Sequence, residues 1–485
     1  MTPAAPPPWR GLAIVLWVGV AACFAYLFGP ILGGYFIADD FVPLVLFRMW
    51  QEQGELGARL LGKFTASLDA GENHFYRPLS YLSMGMNYLA SGAEPAGWMA
   101  VNVVLHAASG VLAAALGVKL VPTAQRSRAW AAAAVGASMF LFAAPGAEVV
   151  AWISGRFDAM ATFFTLAACV AFASSRRALD IAWWLALACA EAAVLSKESA
   201  AIMPFAILMI AFVVPPADAA RSVASRARIA LVRTAPWIAL ALLYLLSRYL
   251  MFGTATQVYA TTDPLASAHW GRAFSNLPEW LRAELGPTRR YYGILGLTAL
   301  QLVLALASRE AARAALAMAC VVAMTLLLLV PHVTELPIGL SGRLFYQSLA
   351  FYAVLVTIGL AQSRLRYLMW GASLGLWIFH GAAMHASMER WQGAYAEMRA
   401  LVARLQAYDR ALQPGDFALI VVPSVYDSIP FASSAQGGLM LPPLFAPVDA
   451  HRSLVQAEAE LADLGGKIAG GVVRTLRERT VGDYL

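Results

Sequence analysis

The chain has 485 residues and a formal net charge of +6, and it is 60% hydrophobic but only 13% charged. A soluble domain of this size cannot bury so much apolar surface, so the composition excludes an ordinary soluble enzyme and predicts a polytopic membrane protein. Most Lys and Arg residues lie in short loops between apolar runs, where membrane topology explains them, so no nucleic-acid partner is predicted.

Apolar runs of about 20 residues, the length that a helix needs to cross a bilayer, recur from one end of the chain to the other. The first is interpreted as a retained helix and not as a cleaved signal. The predicted spans are residues 11–29, 98–118, 129–145, 158–174, 181–195, 199–215, 235–252, 291–307, 313–331, 346–361 and 367–384. They predict an all-α polytopic membrane protein with about 11 transmembrane helices.

The distribution of basic residues between the loops predicts the orientation. Loops on one side carry two or more, such as Arg176 with Arg177 and Arg364 with Arg366, whereas each short loop on the other side carries one. The positive-inside rule then places the N-terminus in the cytoplasm and the loop after the first span outside. The Ala- and Arg-rich composition favours a bacterial inner membrane, with the outer loops in the periplasm.

Two domains are predicted from the change in polarity along the chain. Residues 1–384 form a transmembrane catalytic domain, whose first outer loop, 30–97, carries interfacial helices at 41–50 and 57–68. Residues 385–485 form a small extracytoplasmic α/β cap. Within it, 388–405 shows apolar residues at alternating spacings of three and four, typical of an amphipathic helix. Residues 417–423 read as a buried strand and 470–479 as a second strand.

Two adjacent carboxylates, Asp39 and Asp40, follow the first span directly in "GGYFIADDFVPL". Such a pair has three interpretations: solvated loop residues, an N-cap for the apolar helix that follows, or a catalytic or ion site. Because the spacing alone does not separate these interpretations, the surrounding residues decide between them.

Other ionisable and polar residues also lie at the outer ends of the spans, where charges are costly and are usually paired or functional. For any one of them a structural ion pair is the simpler interpretation, but both signs converge on the side of the acid pair. Glu191 lies within a span, and Asn102 and His106, one turn apart in another span, are expected to make interhelical hydrogen bonds. The outer residues are His74, Tyr76, Arg77, Glu148, Arg156, Asp158, Lys197, Glu198, His332, Glu335, Arg343 and Tyr346.

The order of these motifs resembles the GT-C superfamily of polytopic glycosyltransferases, which use polyprenyl-phosphate sugars. The succession "FYRPLSYLSMGMNYLASGAEPAGWMAVNVVLH", "EVVAWISGRFDAMATFF", "SKES" and "GRLFYQSLAFYAVL" is similar to the membrane half of the transmembrane/tetratricopeptide O-mannosyltransferases and their bacterial relatives. The similarity covers roughly residues 30–360. The chain lacks a tetratricopeptide array and has Gly342 where that family has an acidic residue, so the acceptor stays open.

The resemblance implies an inverting sugar transfer on the outer face of the membrane. It implies that Asp39 is the general base, because Asp39 matches the first acid of the family pair. It also implies that Asp40 supports Asp39 or binds a metal, and that Arg343 contacts the donor phosphate.

The chemistry of glycosyl transfer asks for the same residue types. An acceptor hydroxyl needs a carboxylate to take its proton, and a lipid phosphate with a pKa near ~6 leaves without a general acid if positive charge surrounds it. Arg supplies that charge best. The predicted donor-phosphate residues are Arg77, Lys197, Arg343 and Tyr346. The predicted substrate-pocket residues are His74, Tyr76, Glu148, Arg156, Asp158, Glu198 and His332.

No cofactor is firmly predicted. Asp39, Asp40, Glu148 and His332 offer oxygen and nitrogen ligands for a divalent metal, but their spacing identifies none. The predicted partners are a polyprenyl-phosphate-linked sugar, membrane lipids and an acceptor that is a protein, a glycan or a lipid.

Three alternatives to a glycosyltransferase of this kind stay open. One is a polytopic transporter or lipid flippase, which requires ionisable groups at mid-bilayer and internal symmetry. Another is a non-catalytic scaffold, and the third is a ligase or polymerase that uses a diphosphate donor. Glu191 is the residue that best fits a transporter.

Overall fold

The computed structural model of the protein describes residues 9–65, 75–175, 177–214, 222–255, 271, 275–279, 282, 285, 288–308, 311–329, 342–411, 417–422, 425–427, 429–431 and 452–457. Within this part of the chain the structure is dominated by α-helices. They are α1 (Trp9–Phe28), α2 (Phe41–Glu52), α3 (Leu56–Gly62), α4 (Pro78–Ser91), α5 (Pro95–Leu120), α6 (Arg126–Leu141), α7 (Gly146–Ala151), α8 (Arg156–Ser174), α9 (Ile181–Ser196), α10 (Met203–Val213), α11 (Val223–Phe252), α12 (Thr288–Leu306), α13 (Ala312–Leu329), α14 (Tyr346–Gln362) and α15 (Arg366–Ala411).

The chain is an all-α membrane protein by the length and composition of these helices. Five stretches of the described chain are long and apolar enough to cross a bilayer: Trp9–Gly33, Pro95–Leu120, Ile153–Ser174, Val223–Phe252 and Gly342–Gln362. Each predicted span coincides with a helix, but several of those helices are shorter or less apolar than a bilayer requires. The total of about 11 spans therefore stays a prediction.

The helices pack around α14, which is buried along nearly its whole length. Small residues allow this close approach. A Cβ atom at Gly136 of α6 would lie 2.1 Å from Oγ1 of Thr357 in α14, and one at Gly117 of α5 would lie 2.6 Å from Cγ2 of the same residue. Small residues at helix interfaces are the usual means by which membrane helices bring their backbones together. By contrast, α1 buries few residues and lies at the edge of the bundle.

The first loop, predicted as residues 30–97, contains three helices and ends inside α5. Two of them, α2 and α3, begin at or next to the predicted starts at 41 and 57, while α4 was not predicted. Pro78 and Pro95 stand in the first turns of α4 and α5, where the missing N–H has no helical partner to lose. The helices of this loop pack on one another and on α5, and they carry the acid pair against the bundle.

The C-terminal part begins with the 46-residue helix α15, which is roughly 70 Å long and so about twice as long as the hydrocarbon core of a bilayer. It joins the predicted span 367–384 to the predicted amphipathic helix 388–405 without a break, because neither Pro nor Gly separates them. The boundary proposed at residue 384 therefore falls inside one helix, and the division into two domains stays a prediction. The predicted apolar face is buried: Met388, Trp391, Tyr395, Met398, Val402 and Leu405.

Four short strands follow α15. Strand β1 (Phe417–Val422) lies where a strand was predicted and pairs in parallel with β4 (Arg452–Ala457). Sequence analysis missed β4, because Val455 is its only residue of a type enriched in strands. Strands β2 (Val425–Tyr426) and β3 (Ile429–Pro430) pair antiparallel. The predicted strand at 470–479 lies outside the described residues, and the α/β cap stays a prediction.

Candidate functional site

The acid pair lies in the short 3₁₀ turn Ala38–Asp40, between the first span and α2. Its two carboxylates differ in their surroundings. Asp40 is buried, and its oxygens accept hydrogen bonds from the backbone N–H of Ile37 at 3.1 Å, from the N–H of Ser154 at 2.9 Å and from the Ser154 hydroxyl at 2.8 Å. Asp39 is partly buried as a residue, and its buried Oδ1 has no hydrogen-bond partner. Asp39 is therefore the carboxylate of the pair with an oxygen that still lacks a hydrogen bond.

The N-cap interpretation of the pair does not fit the structure. Asp40 occupies the N-cap position of α2, yet its side chain makes no capping hydrogen bond there. It reaches backward to Ile37 and across to Ser154 instead. Asp40 thus ties the acid loop to the segment before α8.

The motif "SGRFD" at 154–158 supplies that segment, and its first three residues have distinct contacts. Ser154 holds Asp40, and a Cβ atom at Gly155 would lie 2.5 Å from the carbonyl oxygen of Val149, so only glycine fits this approach. Arg156 is fully buried, and its Nη2 donates to the carbonyl of Trp98 at 2.7 Å. Arg156 thus lies in the protein interior, and its assignment to a substrate pocket stays a prediction.

Asn102 connects the two helical segments on either side of this motif. Its amide N donates to the carbonyl oxygen of Trp152 at 2.8 Å, and its carbonyl oxygen accepts from Nε of Arg156 at 3.1 Å. Asn102 therefore makes hydrogen bonds to other elements, as was expected of it together with His106.

Three ion pairs surround the acid loop, and each joins two residues that were predicted site residues. Arg77 forms a two-point contact with Glu198. Lys197 Nζ lies 2.6 Å and 2.7 Å from the two oxygens of Asp158. Glu148 accepts the backbone N–H of Arg343 at 3.0 Å and lies 3.7 Å from its Nε. The structure brings these six residues together, but as pairs that neutralise one another.

Two of the cations act on Asp39. Burial raises the pKa of Asp39, and the positive charges of Arg343 and Arg77 oppose that rise. Both guanidinium groups also lie over aromatic rings: Arg343 is 4.7 Å from the ring centre of Trp152, and Arg77 is 5.0 Å from that of Phe157. Asp39, Arg77 and Arg343 thus come from three distant parts of the chain to one region.

Burial also raises the pKa of Asp40 and of Glu148. For Asp40 the negative charge of Asp39 adds to the rise, and the hydrogen bonds from Ser154 and Ile37 oppose it. Two adjacent carboxylates do not ionise independently, so Asp39 and Asp40 titrate as a pair whose first proton is taken up at a higher pH than an ordinary Asp allows.

Tyr346, a predicted phosphate ligand, is fully buried and is hydrogen-bonded to His106. Its hydroxyl lies 2.7 Å from Nδ1 of His106, while Nε2 lies 3.0 Å from the carbonyl oxygen of Leu141. Since a carbonyl only accepts, Nε2 carries the proton of a neutral ring and Nδ1 accepts from Tyr346. The hydroxyl of Tyr346 is therefore committed to an interhelical bond, of the kind predicted for His106.

The other predicted site residues have separate positions. Tyr76 is buried, donates to the carbonyl of Phe64 at 2.9 Å and packs against Tyr244. His74, His332 and Glu335 lie outside the described residues. Within the described part of the chain, no group of three or more His, Cys, Asp and Glu residues is arranged to hold a metal ion.

Ser154 and Tyr395 were missed by sequence analysis. Tyr395, on the buried face of α15, donates its hydroxyl to the carbonyl of Ala151, next to the Ser154 segment. The small residues of "SG" after the apolar "EVVAWI" are a signal of a tight turn at Ser154. Nothing near Tyr395 in sequence indicates its contact, because the partner is more than two hundred residues away.

Comparison with known proteins finds a partial similarity. The chain is 35% identical over 144 residues to the protein O-mannosyl-transferase Tmtc1 of Drosophila melanogaster, which covers 28% of this chain and 15% of the fly protein. The chain thus matches less than one sixth of the length of this curated relative. No family model and no solved structure matches.

Proposed function

We propose that this chain is an inverting glycosyltransferase that moves a sugar from a polyprenyl-phosphate donor to an acceptor at the periplasmic face of a bacterial inner membrane. The observation that carries the proposal is the contrast within the acid pair: Asp40 is held by three hydrogen bonds, while Asp39 keeps an unpartnered oxygen under the charges of two arginines. The similarity to a protein O-mannosyl-transferase supports this class of reaction.

The proposed reaction uses Asp39 as the general base. Asp39 takes the proton of the acceptor hydroxyl while the oxygen attacks the anomeric carbon on the face opposite the phosphate. The bond from that carbon to the phosphate oxygen breaks, and the electron pair leaves with the lipid phosphate. Asp40, which accepts three hydrogen bonds from Ser154 and Ile37, fixes the loop and takes no proton from the acceptor.

Arg77 and Arg343 are the proposed ligands of the donor phosphate. Each is held by one carboxylate and lies over aromatic rings, Phe75 and Phe157 for Arg77 and Trp152 for Arg343. Lys197 and Tyr346 are weaker candidates, because both oxygens of Asp158 contact the Lys197 ammonium and the Tyr346 hydroxyl is hydrogen-bonded to His106. A positive charge at Arg77 and Arg343 would stabilise the phosphate as it leaves.

The test is incubation of the purified protein with a panel of polyprenyl-phosphate sugars and candidate acceptors, followed by mass spectrometry of the products. The proposal requires that a sugar leaves a lipid monophosphate donor and that the anomeric configuration inverts. Transfer that occurs only from a lipid diphosphate donor, or transfer that retains the anomeric configuration, contradicts the proposal. The same panel would name the sugar and separate protein, glycan and lipid acceptors.

Arg343→Ala should weaken donor binding more than acceptor binding. A charge-assisted hydrogen bond contributes about 1.5–3 kcal/mol, so we expect the donor KM to rise about 10- to 100-fold while the acceptor KM changes about twofold or less. The matched control is Arg48→Ala, which removes an exposed pair with Glu52. Initial rates with each substrate varied in turn measure the effect, and equal changes in the two KM values would indicate a structural role.

The pH dependence of transfer should report the acid pair. Since the pKa of Asp39 is raised, a base at this position loses activity as the pH falls through a value above the ordinary range of Asp near ~3.9. In a coupled pair each carboxylate, when ionised, raises the pKa of the other, so Asp40→Asn should move the acidic limb to lower pH. A profile of kcat against pH for both proteins measures this shift, and an acidic limb that is identical in the two would argue against a coupled pair.

A further inference from the structure

Ala38, directly before the acid pair, has a backbone conformation that alanine rarely adopts. Its φ angle is +52°, and among the described residues the only other non-glycine residues with positive φ are Leu179 and Asp427. A side chain with a Cβ atom is strained in this region, and such a residue persists only where neighbouring structure holds it. The backbone conformation of Ala38 determines the direction of the Asp39 side chain. A contact that holds Ala38 in this conformation therefore also orients Asp39.

The C-terminal part of the chain supplies that contact. The backbone N–H of Ala38 donates to the carbonyl oxygen of Phe431 at 2.8 Å. Phe431 is only 3% exposed and follows the β2–β3 pair directly. Strands β2 and β3 with Phe431 are called the C-terminal hairpin here. One backbone hydrogen bond therefore joins this hairpin to the acid loop, nearly four hundred residues earlier in the chain.

The hairpin is fixed in turn by helix α15. The ring of Tyr426 in β2 lies 5.9 Å from that of Phe431, and a Cβ atom at Gly393 of α15 would lie 3.3 Å from the Tyr426 ring and hydroxyl. On the same helix, Arg399 donates to the carbonyl of Gly33 at 3.0 Å, just before the acid loop. The helix, the hairpin and the acid loop form one connected set of contacts.

We propose that the C-terminal hairpin is a positioning element for the general base: it holds Ala38 in its left-handed conformation and thereby aims Asp39 at the acceptor. This inference rests on the proposed function. Phe431 and Tyr426 are positioning residues and touch no substrate. Because Arg77 and Arg343 come from other elements, loosening the hairpin should lower kcat and leave donor binding unchanged.

Two variants test the proposal, each with hydrogen exchange and kinetics. Gly393→Leu places a side chain where Tyr426 packs, and Phe431→Ala removes the buried anchor of the hairpin. The matched control is Gly381→Leu on the same helix, where a Cβ atom would meet nothing within 4 Å. In both test variants we expect the amide of Ala38 to exchange about tenfold faster. We also expect kcat to fall about tenfold with the donor KM changed less than about twofold.

A rescue experiment separates positioning from general damage. Glycine adopts positive φ without a side-chain penalty, so Ala38→Gly combined with Phe431→Ala should recover part of the lost kcat. A kcat that stays at the parent value while the amide of Ala38 exchanges faster would overturn the proposal, and so would unchanged exchange in both variants. If the unaltered protein transfers no sugar, the proposed function fails, whereas the exchange result still decides whether the hairpin holds the acid loop.

Discussion

Asp39→Asn should abolish sugar transfer and leave the protein folded. A positioned general base contributes about 10²–10⁴ in rate, so we expect kcat to fall about a thousandfold with the donor KM little changed. Asn has nearly the shape of Asp but cannot take a proton from a hydroxyl. The measurement is single-turnover transfer with saturating donor, together with a thermal unfolding curve in the same detergent.

The stability of this variant has a predicted sign. Burial raises the pKa of Asp39, so the parent protein loses stability as the pH rises through that pKa, because a charge must form in a buried place. Asn carries no charge, so the variant should equal the parent at low pH and exceed it at high pH. The matched control is Asp180→Asn at the partly buried N-cap of α9, where Asn caps as well as Asp. Full turnover of Asp39→Asn would show that the base lies elsewhere.

The helices could be read from the sequence, because apolar runs of bilayer length depend on local composition alone. Each predicted span lies on a helical stretch, although α11 begins at Val223, well before the predicted start at 235, and α15 continues to Ala411. The continuity of α15 could not be predicted from the sequence. The change from an apolar to an amphipathic pattern near residue 385 is typical of a domain boundary, although no residue there stops a helix. Strand β4 was missed because few of its residues favour strands, and its strand conformation depends on the pairing with β1.

Which residues gather around the acid loop was easier to predict from the sequence than what each of them contacts. Charges at the outer ends of spans were expected to converge, and Arg77, Glu148, Lys197 and Arg343 do lie in ion pairs around the acid loop. Which acid is held by hydrogen bonds depends on Ser154, a residue 114 positions after Asp40. The sequence does not indicate the contact between Ser154 and Asp40, because it forms only when α7, α8 and the acid loop pack together.

The buried pair of Lys197 and Asp158 gives the second large effect. Their side chains are 11% and 8% exposed, and Nζ contacts both carboxylate oxygens. Lys197→Ala leaves Asp158 buried without its cation, which should lower the free energy of unfolding by about 3–5 kcal/mol. The control is Arg59→Ala in the exposed pair with Glu55, where a loss below about 1 kcal/mol is expected. Unfolding curves in mixed micelles measure both losses.

The double variant Lys197→Met with Asp158→Leu decides whether this pair is structural or binds donor phosphate. Replacing both partners by apolar groups of similar volume leaves no unpaired charge, so most of the lost stability should return. If the pair only supports the fold, the double variant keeps a donor KM within about twofold of the parent value. A donor KM that rises about tenfold in a protein of restored stability would instead assign Lys197 to the phosphate, as its position in "LSKESA" first predicted. The contact with both oxygens of Asp158 favours the structural outcome, because a lysine ammonium has three donors and this carboxylate takes two of them.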